Sequence, residues 1–292
     1  MSIILGVLEE GLVYAIMALG VYITYKILDF PDLSVDGTFP LGGAVTVTLI
    51  LAGLNPVATL LIAFAIGALA GCITGFIHVK LKVRDLLSGI IVMTALYSVN
   101  LRVAGKANVP FFNSDTIFEN SLVNRLFPAS FSAITVVIIL AVIVLIVKFL
   151  LDQYLKTRSG YLLRAVGDNE TLVTSLAKDK GMVKIIGLAI ANGLAALAGS
   201  VYCQQKGFFE ISMGTGTIVI GLANVIIGTK IFKRIGFVKS TTAVIIGSII
   251  YKACVSLAIY FGMEASDLKL ITSVLFLAIL VLSNGREKKV KA

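Results

Sequence analysis

Long apolar runs broken by short polar segments make up most of this chain. Windows of about 20 apolar residues have the length that an α-helix needs to cross a bilayer. Such windows cover residues 4–27, 38–54, 56–79, 86–104, 130–151, 182–203, 212–229, 237–261 and 267–283. The pattern predicts an all-α polytopic membrane protein with about nine transmembrane helices. The second and seventh windows are short and Gly-rich, and a half-helix that re-enters the membrane would leave the same trace.

Composition agrees with a membrane-embedded chain. Of 292 residues, 58% are hydrophobic and 14% are charged, with a mean hydropathy of +1.00, which excludes an ordinary soluble domain. Cys72, Cys203 and Cys254 lie in or beside apolar segments without metal or disulfide spacing. We interpret them as packing residues.

Basic residues predict the orientation. If residues 152–181 are cytoplasmic, 17 Lys and Arg residues fall on the inner side and five on the outer side. By the positive-inside rule, the N-terminus is then outside, and the basic tail at 284–292 is cytoplasmic in a multi-pass protein of the cell membrane. The net charge of +9 is explained by anionic lipid headgroups, so no nucleic-acid partner is expected.

An internal repeat is visible when the chain is shifted by 178 residues. LSVDGTFPLGG at 33–43 then lies over ISMGTGTIVIG at 211–221, which matches Ser34 with Ser212 and Gly43 with Gly221. Four predicted spans on each side fall into the same register. The chain is thus predicted to be a single transmembrane domain, 1–292, in which repeat 3–104, the linking span 130–151 and loop 152–181 precede an inverted repeat, 182–283, an arrangement found in many transporters.

Both matching segments place a break before a short apolar helix, which can bring polar groups to the membrane midplane. The candidate path residues are Ser34, Asp36, Gly37, Asn100, Ser212, Gly214, Asn224 and Lys252. The alternative is structural: the glycines allow close helix packing, and the Asn side chains make interhelical hydrogen bonds. Lys252 either extends outward past Tyr260 or serves in a cavity.

Enzyme chemistry lacks the necessary residues. His78 is the only histidine and is expected at the inner interface, so a His-based metal site or a Ser-His-Asp triad is excluded. No phosphate-binding GxxxxGK[ST] motif occurs, so we expect no ATPase site and no cofactor in this chain. The acidic residues Asp29, Asp32, Asp36, Glu210 and Glu264 fall at segment ends, which argues against a proton relay within the membrane.

The polar segment from Thr157 to Gly181 has the signals of two short helices. Ser159 is predicted to begin a helix that Gly167 ends, and Asp168 a second that Gly181 ends. Such helices on the membrane surface would form a docking surface. An ordinary basic cytoplasmic loop is the alternative.

The string GYLLRAVGDNETLVTSLAKDKG, followed by VKIIGLAIANGLAALAGSVY, resembles the cytoplasmic loop and next helix of ABC importer permeases of the branched-chain amino acid and ribose type. The LSVDG segment is similar to that family's break before its second core helix. Resemblance covers nearly the whole chain and is strongest over 155–235, around the R-A-x-G-x-N-E core. Within the family, the chain is most similar to small permeases linked to aromatic amino acids, and it departs from larger members by one N-terminal helix.

The resemblance implies a permease homodimer, two ATPase subunits that hold ATP and Mg, and an extracytoplasmic solute-binding lipoprotein. The implied ATPase-coupling residues are Leu162, Leu163, Arg164, Ala165, Gly167, Asp168, Asn169 and Glu170. Leu162 and Leu163 would enter a groove of the ATPase, while Arg164 and Glu170 would fix the register by charge. A small polar solute, with an amino acid favoured, would then cross by alternating access.

Two matters stay open from the sequence. A self-sufficient secondary carrier would also use inverted repeats, although the lack of intramembrane acids and the structured loop argue against it. The loop 105–129 either receives the binding protein or forms a partly buried plug through Phe111, Phe112, Ile117 and Phe118.

Overall fold

The computed structural model describes residues 2–126, 132–169, 173, 179–234, 238–262, 267, 270–274, 276–278 and 281. The helices are α1 Ser2–Val21, α2 Val35–Leu51, α3 Pro56–Lys80, α4 Asp85–Ala104, α5 Ser121–Leu126, α6 Ser132–Tyr154, α7 Arg158–Asp168, α8 Lys180–Lys206, α9 Thr217–Ile231 and α10 Ser240–Tyr260. Two short strands, β1 Asn108–Pro110 and β2 Phe208–Glu210, pair antiparallel with Val109 opposite Phe209. The all-α fold class is confirmed.

Seven helical segments of the described residues are long and apolar enough to cross a membrane. They are Ile3–Ile27, Pro56–Lys80, Asp85–Ala104, Ile134–Tyr154, Lys180–Lys206, Ile211–Ile231 and Ser240–Tyr260. Helix α2 is a shorter apolar helix of 17 residues. Since the last predicted span, 267–283, lies partly outside the described residues, the count of nine stays a prediction.

The chain reverses direction between α1 and α2. A π-helical turn, Tyr22–Ile27, extends α1, and Asp29 then adopts the left-handed region with φ 51°. Helix α2 begins at Val35, earlier than the predicted start at 38, because the Ser34 carbonyl already accepts the Thr38 N–H at 2.8 Å. The first turn of α2 therefore contains Asp36.

Helix α8 is the central packing element, because it contacts α1, α2 and α3. Gly67, Gly71 and Gly75 occur every fourth residue of α3, so they share the face that meets α8. A Cβ at Gly71 would lie 2.8 Å from the Cα of Ala189, and one at Gly75 would lie 2.9 Å from the Cα of Ile185. Small residues thus let the two backbones approach closely. Helix α1 packs similarly on α10, with Gly11 against Ile249.

Two ends of the helical domain can be distinguished. The α7 end carries α7 and the first turn of α8, and the strand end carries β1, β2 and the last turn of α8. At the strand end, Phe111, Ile117 and Phe118 are buried, whereas Phe112 is 67% exposed. The Ile117 N–H donates to Gln204 Oε1 of α8 at 3.0 Å. Of the four apolar residues named for this loop, Phe111, Ile117 and Phe118 therefore pack into the domain, as a partly buried plug would, and Phe112 faces outward.

We expect Gly71→Val to destabilise the helical domain by about 1–3 kcal/mol, because the valine side chain must separate α3 from the α8 backbone. Thermal unfolding of the purified protein in detergent measures the effect. Gly6→Val is the matched control, since a Cβ at Gly6 meets nothing within 4 Å. Equal unfolding temperatures for the two variants would contradict the close α3–α8 contact.

Candidate functional site

A buried polar cluster joins the break before α2 to the middle of α8. The Ser34 N–H and Oγ donate to Asp32 Oδ1 at 2.9 and 2.6 Å, and Asn192 Nδ2 donates to Asp32 Oδ2 at 2.7 Å. Thr38 Oγ1 donates to Asn192 Oδ1 at 2.7 Å. Asp32 lies between α1 and α2, at a segment end as predicted, and it is only 1% exposed. The reversal after α1 folds this segment back into the helical domain.

Asp36 connects the two breaks that the repeat predicts. Its carboxylate accepts the N–H groups of Gly216 and Ile218 at 2.9 and 2.7 Å, and the Thr217 hydroxyl at 2.9 Å. These groups form the N-terminus of α9, where a negative charge is stabilised by unpaired N–H donors and by the helix dipole. Asp36 is half-buried in the first turn of α2, so it lies at a helix end as predicted and joins that end to α9.

Glycines allow this junction to close. Gly216 has φ 82°, a left-handed conformation that glycine adopts without steric cost. A Cβ at Gly214 would overlap the backbone of Asp36 and the ring of Pro40. Ser34, Asp36 and Gly214, three of the predicted path residues, therefore lie on neighbouring parts of one junction.

The remaining predicted path residues make other contacts, and Gly37, which follows Asp36, faces α4. Ser212 is exposed and bonds to Glu210 beside it. Asn100 Nδ2 donates to the Gly37 carbonyl at 3.0 Å, which joins α4 to α2. Asn224 Nδ2 donates to Ser248 Oγ at 3.1 Å, which joins α9 to α10. Asn100 and Asn224 thus make interhelical hydrogen bonds, which is the structural role given above as the alternative to lining a path. Each side chain also keeps an Oδ1 atom without a hydrogen-bond partner among the described residues.

Lys252 is paired inside the domain and does not extend toward Tyr260. Its Nζ lies 2.9 Å from Glu10 Oε2 of α1 and 4.4 Å from the centre of the Tyr14 ring. Glu10 Oε1 also accepts from Lys206 Nζ at 2.9 Å. Sequence reasoning missed Glu10, although an acidic pair within the first apolar run was a signal that a cation must lie near.

Helix α7 has the predicted position but different caps. The Thr157 hydroxyl accepts the Gly160 N–H at 3.3 Å, so Thr157 begins the helix. Ser159 Oγ instead lies 3.0 Å from the hydroxyl of Tyr154. Helix α7 continues through Gly167 to Asp168, and Gly181 lies in the first turn of α8, which Asp179 caps. The predicted helix from Asp168 to Gly181 falls mostly outside the described residues.

The burial pattern of α7 is amphipathic. Gly160, Leu163 and Val166 face the helical domain, and Leu163 is fully buried in the main core. A Cβ at Gly167 would overlap the Ile27 carbonyl of α1. Since Leu163 contacts its own chain, it is not available to a groove of another subunit.

The surface of α7 that faces away from the domain is polar and aromatic. Tyr161, Arg164, Asp168 and the following Asn169 are exposed, and Leu162 and Ala165 are half-buried. The remaining predicted coupling residue, Glu170, lies outside the described residues. The exposed surface combines one aromatic ring with charges of both signs.

His78 lies at the α7 end of α3, near an open pocket of about 300 Å³ that Gly167 and Asp168 also line. Its Nδ1 is 2.9 Å from the Val83 carbonyl, and its Nε2 is 3.5 Å from Lys184 Nζ. Within the described ranges, no group of three or more His, Cys, Asp or Glu side chains is arranged to hold a metal.

The chain is similar in sequence to known membrane transport proteins over most of its length. The family model described as "Branched-chain amino acid transport system / permease component" matches residues 3–283. A tyrosine transport system permease protein of Clostridioides difficile is 45% identical over 97% of this chain and 92% of its own length. No solved structure matches.

More distant relatives include a ribose import permease protein of Escherichia coli, 26% identical over 76% of this chain and 68% of that protein. A probable branched-chain amino acid transport permease protein of Methanocaldococcus jannaschii is 27% identical over 73% of this chain and 70% of its length. Together with the membrane-length helices, these matches show that the chain belongs to the branched-chain amino acid/ribose family of ABC importer permeases, multi-pass membrane subunits that are not themselves enzymes.

Proposed function

We propose that this chain moves an amino acid across the cytoplasmic membrane by alternating access, driven by a separate ATPase that docks on α7. The observation on which this rests is the packing of α7 against both α1 and α8. Gly167 contacts Ile27, at the α7 end of α1, and Leu163 contacts Gly187 of α8. A force applied to α7 therefore acts directly on two helices of the membrane domain.

Those two helices are connected to the junction at the breaks. Helix α1 leads through Asp32 to α2, and α8 holds Asp32 through Asn192. Asp36, one turn further, holds the N-terminus of α9. We infer that movement of α7 is passed along this chain of contacts, so that the α2–α9 junction opens to one side of the membrane at a time.

Packing between the halves supports the inverted repeat. Gly71 of α3 packs on Ala189 of α8, and the residues 178 positions away, Ile249 of α10 and Gly11 of α1, also pack on each other, with a Cβ at Gly11 lying 3.1 Å from the Ile249 Cα. Asp36 and Gly214, which the same offset relates, are in contact as well. Two related units that meet at one axis are expected for a transporter that rocks between states.

The substrate class rests on relatives. The tyrosine permease of Clostridioides difficile is 45% identical to this chain, whereas the ribose permease is 26% identical. An amino acid, and an aromatic one in particular, is therefore favoured over a sugar. The partners that we propose are two ATPase subunits, a second copy of this permease and an extracytoplasmic binding protein. The α7 end and the C-terminus would face the cytoplasm, as the basic residues predict.

A self-sufficient secondary carrier is the second candidate function. The sequence argued against it because no acidic residue was predicted inside the membrane domain, whereas the structure buries Asp32 and half-buries Asp36. Burial raises the pKa of the Asp32 carboxyl above its ordinary value, while the hydrogen bonds from Ser34 and Asn192 oppose that rise. No cation pairs with Asp32 or Asp36 among the described residues. A carrier would take up substrate in vesicles that contain this chain alone and respond to a proton gradient. Uptake that occurs only with the ATPase, ATP and the binding protein would exclude it.

Arg164→Glu is expected to release the ATPase, because it reverses a charge at the centre of the exposed surface of α7. Co-purification of the permease with candidate ATPase subunits measures this release. We expect the affinity for the ATPase to fall at least about tenfold, which corresponds to the loss of an interface contact worth about 1.4 kcal/mol or more. Glu170→Lys should act in the same direction.

Arg102→Glu is the control for that experiment, since Arg102 is exposed at the strand end of α4 and undergoes the same charge reversal. If Arg102→Glu and Arg164→Glu release the ATPase equally, or if no ATPase associates with the unmodified chain, the proposed docking at α7 is wrong.

Asp36→Asn is expected to lower transport about tenfold, because the loss of a charge-assisted hydrogen bond weakens the α2–α9 junction by roughly 1.5–3 kcal/mol. Uptake by the complete transporter in liposomes measures the change, and ATPase co-purification should be retained. Asp85→Asn is the matched control, since Asp85 accepts the Leu86 N–H within α4 and makes no hydrogen bond to another helix among the described residues. Normal uptake by Asp36→Asn would remove the junction from the mechanism.

A further inference from the structure

Five polar side chains meet at the strand end, where α1, α8 and α10 converge. They are Glu9, Glu10, Gln205, Lys206 and Lys252, and they are called the Glu10 cluster below. Lys206 Nζ and Lys252 Nζ each lie 2.9 Å from a different oxygen of Glu10. Gln205 Nε2 donates to Glu9 Oε2 at 2.9 Å. The cluster therefore has a cationic part at the two lysines and an acceptor part at Glu9 and Gln205.

Donors and acceptors remain available in both parts. An ammonium group has three N–H donors, and each lysine uses one of them on Glu10. On the acceptor side, Gln205 Oε1 is buried and has no hydrogen-bond partner among the described residues. A buried acceptor without a partner costs free energy, which a ligand N–H would recover. The spare donors suit a carboxylate, and the spare acceptor suits an ammonium group.

Three aromatic rings lie directly below the cluster. Tyr14 stacks on Phe39 with ring centres 6.0 Å apart, and Tyr202 lies 5.7 Å from Phe39. The lysines touch this group, because Lys252 Nζ is 4.4 Å from the Tyr14 ring centre and Lys206 Nζ is 5.6 Å from that of Tyr202. Tyr202 is only half-buried, so an edge of the aromatic group is open to an apolar or aromatic ligand side chain.

The cluster lies within the membrane domain and can still be reached. Glu10 is about 12 Å along α1 from its first residue, and Lys252 is about 12 Å along α10 from its last. The side chains of Glu10, Lys206 and Lys252 are 34%, 30% and 13% exposed. Charged groups at this depth are expensive even when they are paired, and in membrane proteins they commonly mark a substrate pathway. Phe39 is one turn beyond Asp36 on α2, so the cluster and the rings lead toward the α2–α9 junction.

We propose that the Glu10 cluster, with Tyr14, Phe39 and Tyr202, is the site at which the permease first binds a zwitterionic amino acid. Lys206 and Lys252 receive its carboxylate, Gln205 and Glu9 receive its ammonium group, and the rings receive an aromatic or large apolar side chain. This inference rests on the proposed function, since it assumes that an amino acid approaches from the strand end.

Binding to the permease alone tests the site without the ATPase or the binding protein. Saturation-transfer NMR on the full chain in lipid nanodiscs would compare L-tyrosine with tyramine, which lacks the carboxylate, and with 3-(4-hydroxyphenyl)propionate, which lacks the ammonium group. We expect saturable binding in which L-tyrosine exceeds each analogue by about tenfold, as the loss of one charge-assisted contact implies. Equal binding of the three ligands, or no saturable binding of L-tyrosine, would overturn the site.

Variants locate the interaction within the cluster. Lys252→Gln and Lys206→Gln should weaken binding of L-tyrosine and of the propionate about tenfold while leaving tyramine unchanged. Lys239→Gln is the matched control, because Lys239 Nζ bonds Asp152 Oδ2 at 3.2 Å at the other end of α10. A uniform loss for all three ligands would indicate a structural ion pair and refute the assignment. Lys252→Arg, which keeps the charge, should restore carboxylate binding.

Uptake by the complete transporter separates the two proposals. If the unmodified complex imports L-tyrosine and Lys252→Gln imports it equally well at low substrate concentration, the site is wrong and the proposed function stands. If the unmodified complex imports no amino acid, the proposed function itself fails.

Discussion

The contact between the Asp36 carboxylate and the N-terminus of α9 determines how the membrane domain is assembled. A helix that begins inside a protein leaves N–H groups without partners, and no water is available in the bilayer to satisfy them. Asp36 satisfies two of these groups and the Thr217 hydroxyl from a helix that lies about 180 positions earlier in the chain. Because the carboxylate is itself half-buried and has no paired cation among the described residues, each partner stabilises the other, and α2 and α9 must meet.

The rest of the domain is compatible with that requirement. The reversal after α1 delivers Asp36 to the correct depth, and Asp32 fixes the reversal by bonding Ser34 and Asn192. Gly214 has no room for a side chain, so the break before α9 can lie against α2. Helix α7 then packs beneath α1 through Gly167. The breaks before α2 and α9, which move in the proposed mechanism, are thus joined by a few polar contacts. The long helices are joined instead through small residues that let their backbones approach closely.

The sequence predicted the helices well, because their apolar windows are long and their polar breaks are distinct. It also located α7, although Thr157 and not Ser159 caps it, since several hydroxyl residues near a helix start are equivalent on local signals. The depth of Asp32 and Asp36 was not predictable, because hydropathy cannot show that a short polar segment folds back into the domain. The partner of Lys252 was missed for a similar reason: Glu10 is 242 positions away, and only the packing of α1 on α10 brings them together.

The two related helix contacts have opposite arrangements of small residues. In the contact between α3 and α8, the glycine is on α3, at Gly71, and Ala189 faces it. In the contact between α10 and α1, the glycine is on α1, at Gly11, and Ile249 faces it. The first half therefore supplies the glycine in both contacts, and the second half supplies the larger residue. A second copy of the second half could not replace the first, because an isoleucine would then stand where Gly71 meets the backbone of α8.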